Sequence, residues 1–369
     1  MKKNVLFIIW SFTYGGGAEK ILANIVNNLD SKKYNIEILE YCHSDIGSEK
    51  VNQNIIVHKP IIDETKKGIY YRIKNNIIIP GLNKYVPSLT RKLFLNKTYD
   101  IEISFNYLIP TSLLNRKSKK LISWMHGSIE DLNDSPKLKK KQKKYLDRVD
   151  KIIPISENTE KSILHLYPEY VGKIMRIYNG YDFNKMKKLV MAGKEVDEFD
   201  LLFCARLDEN KNPVMFIDIV NLIVKKGRNI TAYILGTGVL QEQIEKRINA
   251  YGLSDNIKLL GYVQNPYPYF EKCKVYCMTS YMEGFPTVLV EAMNFGKPFV
   301  TTPVSGSKEL SNDNRCGFIA NNVEEYADSV LRLLDNDYVY ESMSKICMTY
   351  VKNYSLERQI ANIEKLLDE

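Results

Sequence analysis

The feature that most constrains this chain is a unit of strand, glycine turn and helix in its last third. The run Cys273-Lys274-Val275-Tyr276-Cys277-Met278 is mostly apolar and has the length and texture of a buried strand. A turn through Glu283, Gly284 and Phe285 follows. Pro286 then marks the first helical position, where its missing N–H would be unpaired in any case. Beyond it, Val288, Leu289, Ala292 and Phe295 share one helical face, with Thr287, Glu291 and Asn294 on the other. The same unit opens the chain: an apolar strand over residues 3–10, a glycine loop over 11–17, and a helix over 18–29 carried by Ile21, Leu22, Ile25 and Val26. Such units build α/β folds, which bring loop N–H groups to ligands at the carboxyl ends of strands.

At 369 residues the chain exceeds one ordinary core, and two domains are expected. The turn signal Asn179-Gly180-Tyr181-Asp182 places the boundary, giving domains 1–180 and 181–354 with a polar linker over 184–198. No apolar run approaches the ~18 residues of a membrane span. The start resembles a signal peptide, but its short apolar run leads into the Gly15-Gly16-Gly17 loop and reads better as a first strand. A cytoplasmic protein is expected, with peripheral attachment to the inner face of the membrane as the alternative. The six cysteines are scattered, several in apolar strands, which suits reduced core thiols, and no spacing suggests zinc. No metal and no cofactor are expected.

The net charge of +8 is uneven. Arg116, Lys117, Lys119 and Lys120 precede one strand, and six lysines between Lys137 and Lys144 follow it. A solvated helix face explains such a cluster; an anionic membrane surface is the functional reading. No nucleic-acid motif accompanies it, so nucleic acid is not expected as a partner.

At the signature turn, the helix N-terminus offers N–H groups and a positive dipole to an anion. Glu283 and Glu291 flank it, eight residues apart. Carboxylates for hydroxyls beside N–H groups for phosphate suit a nucleotide sugar. His126, at the end of the strand over 120–125 and before Gly127, stands where α/β proteins make ligand contacts. His43, His58 and His165 lack that context and are read as structural.

Residues 283–298, ending in Gly296-Lys297-Pro298, resemble the glutamate-pair signature of the retaining GT-B glycosyltransferases of family 4. The resemblance implies an α/β fold of two doubly wound Rossmann-like domains facing a cleft. It gives the first domain the acceptor and the second the nucleotide sugar, with a last helix over about 355–369 crossing back to the first. It implies that Arg206 and Lys211, on the loop after the strand over 200–205, bind the donor diphosphate. Fixed cations there absorb the charge of a departing nucleotide without a divalent ion. Glu283, with the turn through Gly284, Phe285, Pro286 and Thr287, would hold sugar hydroxyls and phosphate, and Glu291 the ribose. His126 would lie near the transferred sugar. Gly236 and Gly238 would form the turn at the nucleotide and Val263 the loop at the base. Gly16 and Gly17 would approach the diphosphate and the acceptor.

The activity so implied is retaining transfer of a hexosyl or N-acetylhexosaminyl group from a UDP-sugar to a saccharide acceptor. The basic first domain suits a lipid-linked acceptor, as in bacterial capsule, exopolysaccharide or lipopolysaccharide synthesis. Alternatives are a GT-B-fold nucleotide-sugar isomerase, a glycoside hydrolase using Glu283 and Glu291, or a non-catalytic nucleotide-binding scaffold. Residues 61–95 mix Tyr70, Tyr71, Ile77, Ile78, Ile79, Leu82 and Tyr85 with Lys and Arg; the resemblance suggests acceptor or membrane contact for this region, while most of these apolar side chains are expected in the core.

Overall fold

Short apolar runs ending in glycine or polar residues become the central strands of two parallel sheets, each strand flanked by helices. The computed structural model describes residues 2–14, 17–47, 49–106, 108–127, 129 and 135–369. By its internal contacts the chain divides into two units, Met1–Gly180 with Leu356–Glu369, and Tyr181–Ser355.

The first unit runs β1 (Lys3–Ile9), α1 (Gly17–Asn28), β2 (Tyr34–Glu40), β3 (Cys42–His43), β4 (Ile56–Val57) and β5 (Ile62–Asp63). A helical stretch follows: α2 (Ile69–Ile73), a wide turn with i→i+5 character (Lys74–Ile78), α3 (Ile79–Tyr85) and α4 (Pro87–Phe94). Then come β6 (Ile101–Ser104), α5 (Ile109–Ser112), β7 (Lys120–Met125), α6 (Pro136–Leu146), β8 (Lys151–Pro154) and α7 (Glu157–Leu166). The six-stranded sheet has the order β4-β2-β1-β6-β7-β8, every neighbouring pair parallel. Its order reverses between β1 and β6, the switch point at which open α/β sheets bind ligands.

Helices on both faces require strands that are apolar on both sides. Val5, Phe7 and Ile9 enter one core with Leu22, Ile25 and Val26 of α1. Leu6 and Ile8 enter the other with Ile61, Ile62 and Ile79. The C-terminal helix (Leu356–Asp368) adds Ile363, Leu366 and Leu367 to the first of these cores. At its entry Gly180 leaves no room for a side chain, since a Cβ there would lie 2.7 Å from the Leu356 Cα.

The second unit runs α8 (Phe183–Met191), β9 (Phe199–Cys204), α9 (Pro213–Lys225), β10 (Ala232–Leu235), α10 (Gln241–Ala250), β11 (Ile257–Gly261) and α11 (Tyr267–Lys272). It continues with β12 (Cys273–Met278), α12 (Thr287–Asn294), β13 (Phe299–Thr301), α13 (Ser307–Ser311), β14 (Gly317–Ile319), α14 (Val323–Leu334) and α15 (Asp337–Tyr350). The sheet order β11-β10-β9-β12-β13-β14, again all parallel, repeats the first topology and puts the switch point between β9 and β12.

Several local expectations need correction. Pro286 is the N-cap of α12, with ψ 88°, and helical geometry starts at Thr287. The buried face of α12 is Leu289, Val290, Ala292 and Met293, while Val288 and Phe295 are half-buried. That helix is covered on more than one side, so a two-faced division fails. Residues 184–191 form α8 because the Asp182 carboxylate caps it, accepting from the Lys185 N–H at 2.8 Å. After Gly306 the chain forms a short helix, α13. In residues 61–95 only Ile79 of the named apolar residues is buried; Tyr70, Ile77, Ile78 and Tyr85 are exposed.

Candidate functional site

The switch point of the second sheet gathers the loop after β9 and the turn after β12. Strand pairing places Leu201 beside Val275 and Leu202 beside Tyr276, so both loops leave the sheet from adjacent carboxyl ends. Lys211 Nζ donates to Glu283 Oε1 at 2.6 Å. Both side chains are largely buried, 22% and 14% exposed, so the pair is shielded from bulk water more than a surface ion pair. The Arg206 guanidinium is 79% exposed and reaches Asp208 at 3.2 Å. Asp208 also accepts the Lys211 backbone N–H at 3.0 Å, so one carboxylate holds the Arg206 guanidinium and the backbone at Lys211.

Asn210, not singled out from sequence, joins the two segments. Its side chain donates to the Met282 carbonyl at 3.0 Å and accepts the Met282 N–H at 3.1 Å, while its carbonyl accepts the Tyr281 N–H at 2.8 Å. Thr279 adds hydrogen bonds to the Lys211 and Asn212 carbonyls. The only sequence signal for these roles was the crowding of short polar residues in both loops. Asn212 sits in left-handed geometry and caps α9, accepting the Met215 N–H at 3.3 Å, with Pro213 in the first turn.

Gly236 and Gly238 stand against this loop. A Cβ on Gly236 would lie 1.9 Å from the Ala205 carbonyl oxygen, and one on Gly238 would lie 2.3 Å from that of Leu207. The Leu207 N–H donates to the Thr237 carbonyl at 3.0 Å. Their immediate physical reason is therefore the close approach of the Arg206-bearing backbone. The Gly236 N–H also binds the Gly261 carbonyl at 2.7 Å, which ties in the end of β11; Val263, two residues on, is half-buried.

Gly284 is open: a Cβ on it would meet nothing within 4 Å. Its carbonyl accepts from Ser305 Oγ at 3.1 Å. Phe285 and Pro286 pack on Gly306, which adopts φ +82°, and the Phe285 ring lies 5.8 Å from that of Tyr354. Thr287 is exposed. Glu291 is half-buried, and its charge acts on Cys204 and on the phenols of Tyr181, Tyr267 and Tyr276, whose pKa values burial already raises. Glu283 and Glu291 thus occupy different surroundings: one is paired to a lysine, the other lies over a tyrosine cluster.

In the first unit, His126 follows β7 with its ring 4.6 Å from Phe105. Burial pushes its pKa down to about 4 against the opposing pull of a Phe105 backbone hydrogen bond, which leaves the imidazole neutral at pH 7. Its Nε2 is buried and has no partner among the described residues. A buried ring nitrogen of that kind suits a ligand hydroxyl. The loop after β1 is held by the buried Glu40: Oε1 accepts from Ser11 Oγ (3.1 Å), the Phe12 N–H (2.6 Å) and Thr13 Oγ1 (2.7 Å). His43, read as structural, meets Glu40 Oε2 at 2.8 Å. Beyond β1, Trp10 stacks on Tyr41 and borders a cavity of about 650 Å³ that Lys66, Lys67 and Arg72 also line. Gly17 begins α1, and Gly16 lies outside the described residues.

Two family models divide the chain between them: Glycosyltransferase Family 4 matches residues 15–185 and Glycosyl transferases group 1 matches residues 186–348. Among relatives, an N-acetyl-D-galactosaminyltransferase of Campylobacter jejuni is 26% identical over 98% of this chain and 96% of its own; its full name begins with a PP-undecaprenol-linked glycan. A poly(ribitol-phosphate) α-N-acetylglucosaminyltransferase of Staphylococcus aureus is 27% identical over 69% of this chain and 51% of its own. The crystal structure of Anabaena Alr3699/HepE in complex with UDP superposes with a TM-score of 0.71 at 18% identity, covering 100% of both chains. With the two doubly wound sheets described above, these matches assign the chain to the family 4 glycosyltransferases of GT-B fold.

Proposed function

We propose that this glycosyltransferase moves a sugar from a UDP-sugar to a saccharide acceptor carried on a lipid, with retention of anomeric configuration and without a metal ion. The second unit takes the donor and the first the acceptor. The observation that carries the reading is the Lys211–Glu283 pair at the β9/β12 switch point, with Arg206 exposed on the same loop. In this reading the cations absorb the charge that grows on the diphosphate as the C1–O bond to the leaving phosphate breaks. The acceptor oxygen bonds to C1 on the same face, and its proton passes to the departing phosphate oxygen. Products are the glycosylated acceptor and the nucleoside diphosphate. No protein nucleophile is needed, which fits a Glu283 already engaged by Lys211.

Glu283 and the turn through Gly284 to Thr287 hold sugar hydroxyls and phosphate, Glu291 the ribose, and His126 Nε2 a hydroxyl of the transferred sugar. Gly236, Gly238 and Val263 border the nucleotide, and Gly17 the acceptor side. Two observations support a lipid-borne acceptor: the glycan in the C. jejuni relative's name and the basic cavity beyond β1.

The test is a thermal-stabilisation screen of nucleotide sugars, then turnover of the stabilising donor with candidate acceptors, with and without chelator. UDP-sugar stabilisation and chelator-resistant, acceptor-dependent release of UDP are expected. Turnover of donor alone would indicate an isomerase, and sugar release without nucleotide a hydrolase.

A further inference from the structure

Ser280 and Pro286 are buried, but packing anchors the turn between them poorly. Tyr281 and Met282 are 68% and 73% exposed, and Gly284 is exposed as well. Burial, the usual means of fixing a segment, is therefore weak around Glu283. Hydrogen bonds from Asn210 stand in for it. The Asn210 carbonyl accepts the Tyr281 N–H at 2.8 Å. Its side-chain amide accepts the Met282 N–H at 3.1 Å and donates to the Met282 carbonyl at 3.0 Å. A carboxamide carries a donor and an acceptor side by side, as a pairing strand does. A carboxylate of the same shape lacks the donor.

The two loops depend on this amide unequally. The loop after β9 is held without it. The Leu207 N–H binds the Thr237 carbonyl at 3.0 Å, and Asp208 holds the Arg206 guanidinium and the Lys211 N–H. Thr279 Oγ1 binds the Lys211 and Asn212 carbonyls. The Met282 N–H and carbonyl, by contrast, bind nothing but Asn210 among the described residues. Cutting the amide therefore frees the signature turn and leaves the cations in place.

The residue after Met282 is Glu283, whose Oε1 accepts from Lys211 Nζ at 2.6 Å. One loop thus grips the turn twice, through a neutral amide at 282 and a cation at 283. A carboxylate met by a flexible lysine alone can swing about that contact. With the preceding peptide clamped, its direction is set, and small errors of direction are costly at a reacting centre.

We propose that Asn210 is a positioning residue for transfer. Its amide fixes the Met282 peptide so that Glu283 and the N-terminus of α12 present a single geometry to the transferred sugar. The inference rests on the function proposed above, in which Glu283 meets that sugar. Asn210 itself touches neither donor nor acceptor. Loss of its amide spares nucleoside-diphosphate binding and slows the step that follows.

The test uses the full chain and begins without substrate. Amide hydrogen exchange over residues 280–287 should be about tenfold or more faster in Asn210→Ala than in wild type, because the Met282 N–H loses its acceptor. Transfer turnover should fall about tenfold, with the UDP dissociation constant within about twofold of wild type. Glu283→Gln should slow transfer by itself, and adding Asn210→Ala to it should cost less than about twofold more, since residues that act as a unit are not additive. A purely structural role would lower stability and let the two effects multiply. Asn210→Asp keeps the shape but turns an oxygen on the Met282 carbonyl, so it should be no faster than Asn210→Ala. Unchanged exchange in Asn210→Ala overturns the proposal, as do wild-type turnover by either variant and multiplied effects in the double variant. A wild-type protein that transfers no sugar sinks the proposed function and this inference with it. Faster exchange in Asn210→Ala beside normal transfer sinks this inference alone.

Discussion

Lys211 Nζ and Glu283 Oε1, 72 residues apart in sequence, meet at 2.6 Å where the sheet of the second unit reverses its strand order. The pair holds the cation-bearing loop and the signature turn in one arrangement before any ligand arrives. Under the proposed function, a donor diphosphate would meet a preset charge pattern there, which is what makes fixed cations effective in a partly water-excluded site.

Removing either cation should slow transfer. Arg206→Ala and Lys211→Ala should each lower turnover about ten- to a hundredfold, the value of one charge-assisted hydrogen bond. The two variants should differ in stability. Lys211→Ala leaves a mostly buried carboxylate without its partner, at a cost of about 1–3 kcal/mol, whereas Arg206 is exposed and its loss should leave the melting temperature in place. Nucleotide release and thermal unfolding measured side by side check both halves; near-wild-type turnover of Arg206→Ala would remove that assignment.

Gly236→Ala should disturb donor binding from a distance. Its Cβ would fall 1.9 Å from the Ala205 carbonyl, at a φ of +135° that side chains rarely adopt. The chain must move the Arg206 loop or unfold locally, at about 2 kcal/mol or more. Gly284→Ala meets nothing within 4 Å and should leave stability nearly unchanged. Denaturant midpoints of the two variants give the comparison; equal effects would contradict the packing role of Gly236.

His126 should make stability pH-dependent. Its folded pKa of about 4 lies below the ordinary histidine value of 6.5, so between these values the unfolded chain binds a proton that the folded one does not. Stability therefore falls as pH drops from 6.5 towards 4, by up to about 1.4 kcal/mol per pH unit from this group. His126→Asn should flatten that part of the profile. Parallel wild-type and variant profiles in that window would show that the imidazole is not held neutral by burial.

Glu40 should be a structural keystone of the loop after β1. Glu40→Ala strips acceptors from Ser11, Thr13 and the Phe12 N–H and should destabilise by about 2–4 kcal/mol. Glu40→Gln keeps one acceptor oxygen and should cost less. Chemical denaturation ranks the two, and equal losses would argue against the hydrogen-bond account.

The strands that are buried on both faces were the most legible part of the fold. Residues 120–125 and 273–278 stand out because a parallel strand between helix layers must be largely apolar throughout. Capping is local chemistry of the same kind: at the start of α7, Ser156 Oγ accepts the Thr159 N–H at 3.1 Å. Asn210 was not legible, because it acts on the Met282 backbone across 72 residues. Nor was the exposed apolar side of α2 and α3, where apolar character gives no hint of which side faces out and the wide turn breaks the period that would have shown it.

The sequence by itself determined the parallel α/β architecture, which follows from local periodicity and turn chemistry; the resemblance of residues 283–298 supplied the family and the short list of charged and glycine residues around the signature turn. Tertiary structure alone decided which of those residues meet: Lys211 with Glu283, Gly236 with Ala205, His126 buried against Phe105. The reason is that strand order is set by long-range packing, and strand order fixes which loops lie side by side.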